Sequence, residues 1–441
     1  MTQTTPQEQQ SFVSFLREAS PYLRAHRGQT FVVYLGGDLI DAPGFPSVVQ
    51  DLALLCGIGV KLVLVHGARP QIEARLAQAE VPTALVGDLR VTDSATLHEV
   101  RPAIALVRYT VEAQFAQVAG PRQIGASGLR VTGGNFVVAR PVGVIAGTDL
   151  QFTGEVRKVD TMGLRAQLEL SDIVLISPLA HSPTGELFSL NALTLASALA
   201  IELSASKLVL YTPEAAITDQ QGVLWRQLTV PELRAAPAFN GPPAAILDNA
   251  LHACRGGVER VHLVSSVQDG ALLLELFTRD GVGTLISNVP FDQLRTATID
   301  DVGGILALIE PLEAAGVLVK RSREKLEREI GCFEIMVRDG MTVACGAVYP
   351  YGSERMAELA CIAVHPDYRR GGFGAALLVA LERQAVAAGV SEVFVLTTQT
   401  THWFQEQGYV RSTLEELPIA RQALYNAQRN SVVLVKKLSA R

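Results

Sequence analysis

The sequence predicts two units in series: an α/β unit with a mostly parallel open sheet and helices on both faces, then a smaller α+β unit. Three observations carry that prediction. The chain has 441 residues, more than one hydrophobic core accommodates. From residue 31 to about 288, short apolar runs alternate with helical patterns, as βα repeats do. From about 295 to 441, strand-like runs follow one another more directly, and one feeds a glycine-rich turn and an apolar helix.

At the N-terminus, "SFVSFLREASPYLRAHRG" places Phe12, Phe15, Leu16 and Leu23 on one helical face that ends at Gly28. Residues 1–27 are therefore expected as a helix packed on its own unit or on another subunit. The unit over 28–288 has strands at "TFVVYL", "KLVLVHG", "DIVLISPLA", "KLVLYT" and "RVHLVSS", and helices over 46–57, 70–79 and 191–204. A proline and polar residues in "NVPFDQLRTATIDD" mark the boundary. The unit over 295–441 begins with strand "LRTAT", a helix from Asp300 and the basic helix "SREKLEREI". Strands "CFEIMVRDG", "TVACGAVYP" and "MAELACIAV" lead to the turn and a helix reaching Ala388. Strand "EVFVLTT", helix "THWFQEQG" and strand "SVVLVKKL" complete it.

A net charge of −6 and a pI near 5.8 give no basic field for nucleic acid or anionic lipid, so small molecules are the expected partners. No apolar run reaches the roughly 18 residues of a membrane span, and "MTQTTPQEQQ" has no secretory character, so a cytoplasmic location is expected. Cys56, Cys254, Cys332, Cys345 and Cys361 form no CxxC pair and the histidines do not cluster. Neither a disulfide framework nor a metal site is expected.

In "RRGGFG" the backbone amides of residues 370–375 can converge at the start of a helix, and the glycines let them approach a phosphate. The turn alone leaves dinucleotides, nucleotides and coenzyme A open. The spacing Arg369, Gly372, Gly374 after an apolar strand resembles the Q/R-x-x-G-x-G/A signature of the GCN5-related N-acetyltransferase family. That resemblance implies acetyl-CoA as co-substrate. Its pyrophosphate would lie on Arg369, Arg370, Gly371, Gly372, Phe373, Gly374 and Ala375, and its thioester along Cys361, Ile362, Ala363 and Val364.

Amine acetylation needs a base for the ammonium proton. Glu358, in an apolar strand context expected to raise its pKa, is the candidate. Cys361 has no neighbouring histidine to make it a covalent nucleophile. Thr397 and Tyr425 are candidates for returning a proton to the departing thiolate. Lys320, Arg321, Arg421 and Arg429, with Ser431 in "QRNS", suit a small dicarboxylate acceptor.

In the first unit "FVVYLGGDLI", "LVLVHGARPQIEARL", "DLRVTDSATLHEV" and "FTGEVRKVD" resemble the amino-acid kinase family. The two units in this order, with "LACIAVHPDYR", "THWFQEQGY" and "LYNAQRNS", resemble the bacterial-type N-acetylglutamate synthases. This implies direct transfer of acetyl to the amino group of L-glutamate in a ternary complex, the first step of arginine biosynthesis. The kinases' lysine before "LGG" is Tyr34 here, their second lysine falls near Ile246, and their "NAD" aspartate falls at Leu193. Phosphoryl transfer thus lacks its charges, although Gly36, Gly37, Gly67 and Arg90 remain.

"DGALLLELFTRDGVGTLI" resembles the arginine-binding segment of arginine-sensitive acetylglutamate kinases. L-Arginine is thereby implied as effector, its cationic end on Glu275, its contacts at Gly281 and Gly283, and Tyr22 closing the site. The same resemblance implies a homo-oligomer, with a hexamer the arrangement to consider. Two readings compete: an enzyme that also phosphorylates acetylglutamate, and a sensor-coupled protein-lysine acetyltransferase. The missing lysines oppose the first, and the basic acceptor residues oppose the second.

Overall fold

The structure, a computed structural model, describes residues 5–119, 129–171, 173–213, 217–235, 240–278, 281–288, 292–338, 341–369, 372–425 and 430–438. It divides into two compact units, 1–289 and 290–441. Among the described residues no helix is long and apolar enough to cross a membrane.

The first unit opens with α1 (Pro6–His26), β1 (Thr30–Leu35), α2 (Phe45–Gly57), β2 (Lys61–His66), α3 (Arg69–Gln78) and the long α4 (Ser94–Ala119). Next come β3 (Val131–Thr132), β4 (Val137–Pro141), β5 (Thr153–Val159), α5 (Thr161–Leu170), β6 (Ile173–Ile176), β7 (Leu179–His181) and β8 (Leu187–Leu190). The unit ends with α6 (Ala192–Glu202), β9 (Lys207–Thr212), β10 (Gln227–Thr229), α7 (Ala244–Arg255), β11 (Arg260–Ser265), α8 (Ala271–Phe277) and β12 (Thr284–Ser287).

An 8-stranded sheet runs β10-β12-β11-β9-β1-β2-β6-β3. Its pairs are parallel except β11 with β12. Apolar cores lie on both faces, one with α6 and α7, the other with α2, α4 and α8. Burial on both sides explains why β1, β2 and β9 are continuous apolar runs rather than alternating ones. The expected strand "DIVLISPLA" is two: β6 stays in the sheet, while β7 joins β4, β5 and β8 in a small closed barrel. The apolar face of α1 also divides. Leu23 packs on the core and His26 Nε2 lies 3.0 Å from the Leu276 carbonyl oxygen, whereas Phe12, Phe15 and Leu16 are exposed.

The second unit contains β13 (Asp292–Thr296), α9 (Val302–Ala314), α10 (Arg323–Glu329), β14 (Phe333–Arg338), β15 (Met341–Tyr351) and β16 (Met356–Val364). After these come α11 (Phe373–Ala387), β17 (Glu392–Thr397), α12 (Thr401–Glu406), β18 (Val410–Arg411), α13 (Ile419–Gln422) and β19 (Val432–Lys437). The sheet order is β13-β14-β15-β16-β17-β19-β18, with the cores of α9 and α11 separate. β16 pairs with β17 only through Met356, Ala357 and Glu358, then the two diverge. β15 follows β16 to Val364 across a register shift, where Cys361 takes a left-handed φ of 53°. A bulge of this kind bends its strand and re-aims its backbone groups. One edge of residues 359–364 is thereby left without a strand partner in the described sheet.

Candidate active site and effector site

Where β16 leaves β17, a cavity of about 790 Å³ opens. Its lining brings together Glu358, Cys361, Lys320, Arg321, Arg421, Tyr425 and Ser431, seven of the residues singled out in the sequence. It adds Lys325, Glu329, Tyr349 and Tyr351, which sequence reasoning missed. Tyr349 lies directly across the ladder from Glu358, a neighbourhood that only the β15/β16 register reveals.

The apolar setting expected for Glu358 is not what the fold supplies. Its carboxylate accepts from Arg421 Nε at 2.6 Å and Arg421 Nη2 at 3.1 Å, a bidentate pair across 63 residues of sequence. Arg321 is less fully engaged. Its Nη1 donates to the Val319 carbonyl at 3.3 Å, while its buried Nε has no hydrogen-bond partner among the described residues. Burial works against its charge, but the neighbouring Glu358 carboxylate is among the groups that offset this, and the guanidinium is held more firmly protonated than usual.

Tyr349 Oη donates to Glu329 Oε2 at 2.7 Å. Burial, then that carboxylate, push the phenol well above its usual range, so it remains a donor. Burial likewise pushes the Cys361 thiol up to about 11, which keeps it protonated and poorly nucleophilic near neutrality. Tyr425 Oη donates to the Ser431 carbonyl at 3.0 Å beside the cavity. Thr397 is not in the lining: its Oγ1 accepts from the Thr400 amide at 3.0 Å and pairs with Thr400 Oγ1 at 2.8 Å, closing the turn after β17.

At the other end of β16, Gly372 has a φ of +76° and precedes α11, whose N-terminus has no side-chain cap among the described residues. A Cβ at Gly374 would crowd Trp403 and Val364. Phe373 packs edge-on against Tyr368 with ring centroids 5.3 Å apart, Ala375 follows in the first turn of the helix, and Arg369 is exposed. Ile362 and Val364 pack on the α11 core while Ala363 and Cys361 pack on the α9 core, so contacts to a thioester there fall to backbone. Arg370, Gly371 and Arg429 lie outside the described residues.

In the first unit a cleft of about 560 Å³ is lined by Tyr34, Gly37, Gly67, Arg69, Arg90, Asn191 and Leu193 among others. Tyr34 and Leu193, the positions where the kinase resemblance leads one to expect charge, line it with neutral side chains. Asn191 caps α6 through the Leu193 and Thr194 amides.

Glu275, expected to meet a cation, is buried with its oxygens occupied. Oε1 accepts from His262 Nδ1 at 2.8 Å and Oε2 from the Val282 and Gly283 amides, both at 2.9 Å. Burial alone would raise its pKa, yet His262 and the two amides bring it below the usual carboxylate value. Burial foremost holds His262 below its own ordinary value, so the pair is a carboxylate with a neutral imidazole. His262 was not singled out in the sequence. Side chains at Gly281 or Gly283 would overlap Glu275 Oε2 or the Leu263 carbonyl, which explains both glycines. Tyr22 packs on the core from α1, the helix that touches α8 beside Glu275 through His26.

Among the described residues no group of three or more His, Cys, Asp or Glu could hold a metal. The amino acid kinase family model matches residues 29–265 and the acetyltransferase (GNAT) family model residues 307–409. An amino-acid acetyltransferase of Ectopseudomonas mendocina is 50% identical over 429 residues, 97% of this chain and 99% of that one. The N-acetylglutamate synthase of Neisseria gonorrhoeae, complexed with coenzyme A and L-arginine, is 36% identical over 97% of this chain and 100% of that one, with a TM-score of 0.89. Its complex with coenzyme A and N-acetyl-glutamate matches over the same shares at 37% identity, with a TM-score of 0.62.

Proposed function

The chain belongs to the amino-acid acetyltransferases of the N-acetylglutamate synthase family, and on that premise we propose that it acetylates L-glutamate by direct attack on acetyl-CoA, under control by L-arginine. One observation carries the acetyl-transfer reading: β16 parts from β17 at Glu358, at the wall of a cavity that also presents Arg321 and Lys320. Acetyl-CoA lays its pyrophosphate on the first amides of α11 and its thioester along residues 359–364, whose amides stabilise the oxyanion. The acceptor's carboxylates meet Arg321 and Lys320.

Glu358, oriented by Arg421, takes the ammonium proton directly or through water. The freed amine forms the new C–N bond, the C–S bond breaks, and Tyr425 is the donor placed to protonate the thiolate. Cys361 stays a thiol throughout. The first unit acts as a regulator without phosphoryl transfer, because its cleft has Tyr34 and Leu193 where charge is needed. L-Arginine, which the Neisseria relative binds, is assigned here to the Glu275 and Tyr22 region on the resemblance of residues 269–286 to an arginine-binding segment.

The test is coenzyme A release from acetyl-CoA with L-glutamate, compared with other amino acids and repeated across an arginine titration. Glutamate-selective release that changes with arginine is expected. Release that is indifferent to the amino acid overturns the acceptor assignment, and indifference to arginine overturns the regulatory one.

A further inference from the structure

We infer that Arg338 is a positioning residue for acetyl-CoA: its guanidinium, set against the rings of Tyr368 and Phe373, holds the two flanks of the glycine turn that receives the pyrophosphate. This rests on the proposed reading of that turn and the start of α11 as the pyrophosphate site. The turn has one aromatic ring on each side, Tyr368 just before it and Phe373 as the first residue of α11. The two rings meet edge to face, with centroids 5.3 Å apart and planes at 76°, and both belong to the apolar core of α11. The guanidinium carbon of Arg338 lies 5.4 Å from the Tyr368 centroid and 5.6 Å from that of Phe373, within reach of cation–π attraction to each. One side chain therefore engages both flanks of the turn.

Its supports are firm. Arg338 is the last residue of β14, in register with Asp292 of β13 on one side and Met341 of β15 on the other. Tyr368 donates its amide to the His365 carbonyl at 2.9 Å and sets its ring edge-on to His365 at 5.8 Å. Gly372, between the two rings, takes a left-handed φ of +76°, and a glycine both reaches and leaves that conformation easily. A clamp on the flanking rings restricts that freedom, and a turn ordered beforehand loses less when it binds an anion.

Charge favours this role over packing alone. An apolar side chain would fill the space against the two rings without the cost of partly desolvating a cation. A cation beside the first residue of a helix also stands at the end where the helix dipole opposes it. A pyrophosphate at that end removes the opposition, because dipole and guanidinium then attract the same anion.

The test compares two acetyl donors on the full-length chain with L-glutamate as acceptor: acetyl-CoA, and S-acetylpantetheine, which carries the thioester arm without phosphate. Loss of the two ring contacts is worth about tenfold in affinity. Arg338→Met is expected to raise KM for acetyl-CoA about tenfold, while KM for L-glutamate and kcat/KM with S-acetylpantetheine each change less than about twofold. Arg338→Lys keeps a cation without the flat guanidinium and is expected to recover part of the loss. An unchanged acetyl-CoA KM in Arg338→Met overturns the inference. An equal loss of kcat/KM with both donors marks the arginine as structural only and overturns it too. If the unaltered chain uses S-acetylpantetheine as efficiently as acetyl-CoA, the pyrophosphate reading of the turn itself falls. Should S-acetylpantetheine be turned over too slowly to compare, the split between the acetyl-CoA and glutamate KM values decides. Where Arg338→Met yields no folded protein, Arg338→Gln is judged by the same outcomes.

Discussion

Glu358 and Glu275 are both mostly enclosed carboxylates, with side-chain exposures of 13% and 5%, and in both residues the two oxygens accept hydrogen bonds. Their partners differ in kind. Glu358 is held by one long side chain, Arg421, at the wall of an open cavity. Glu275 is held by a neutral histidine and two consecutive backbone amides inside the protein. A side chain can swing away when a ligand or proton arrives, whereas backbone amides can be released only by moving the loop that carries them. The first arrangement suits chemistry, and the second suits coupling a ligand to a conformation.

The largest effect expected from this contrast is on turnover. Glu358→Gln keeps the shape and an oxygen for Arg421 but cannot accept the ammonium proton, so kcat should fall about 100- to 1,000-fold, roughly 3–4 kcal/mol in the barrier. Single-turnover coenzyme A release measures it, and a loss below tenfold would mean that the proton leaves by another route. Glu275→Ala should act on folding instead. It strands the donors on His262, Val282 and Gly283, at about 3 kcal/mol, and should abolish the arginine response. Denaturant unfolding with and without arginine would check both parts, and an unchanged midpoint would show that the carboxylate is not integral to that loop.

How much of this was legible beforehand follows from sequence distance. β1 and β9 stand where the apolar runs put them, because strands buried on two faces leave a local signature. The glycine turn was legible because Arg369, Gly372 and Gly374 are close neighbours in the chain and one of them requires positive φ. α4 was not, since 26 residues running through Pro102 read as an interruption when only local rules are applied. Most barrel strands are short, and β7 with β4 and β8 with β5 pair across long gaps, so no local period marks them. The same reason hid the partners of the site residues. Arg421 beside Glu358, Tyr349 across from it, and His262 under Glu275 are products of register and helix docking, and Thr397 was named for its hydroxyl without knowledge of the turn that consumes it.

If the first unit uses buried groups for stability, pH should expose it there. His66 is fully buried, with Nε2 2.8 Å from Ser177 Oγ, and burial lowers its pKa to about 4. The unfolded chain then binds a proton near pH 6.5 that the folded chain refuses until about pH 4. Stability is fully present above 6.5 and should be lost progressively as pH falls to 4, by about 3 kcal/mol in all. Unfolding midpoints of His66→Gln across that range should show a correspondingly flatter dependence, and an unchanged slope would assign the acid sensitivity elsewhere.

The smallest expected effect has the opposite sign. Asp51 on α2 is raised to about 6 by burial and then by the charge of Asp269. A carboxyl whose folded pKa is raised favours the folded state only while protonated, so above pH 6 its ionised form works against folding. Asp51→Asn removes that opposition without changing the shape, and because the group is half-buried and partly screened the gain should be about 1 kcal/mol at pH 8. Below about pH 3 the aspartate is protonated in both states and the two proteins should unfold together. A destabilised Asp51→Asn variant at pH 8 would mean that the Asp51 charge is matched by a partner, as those of Glu358 and Glu275 are, and not merely tolerated.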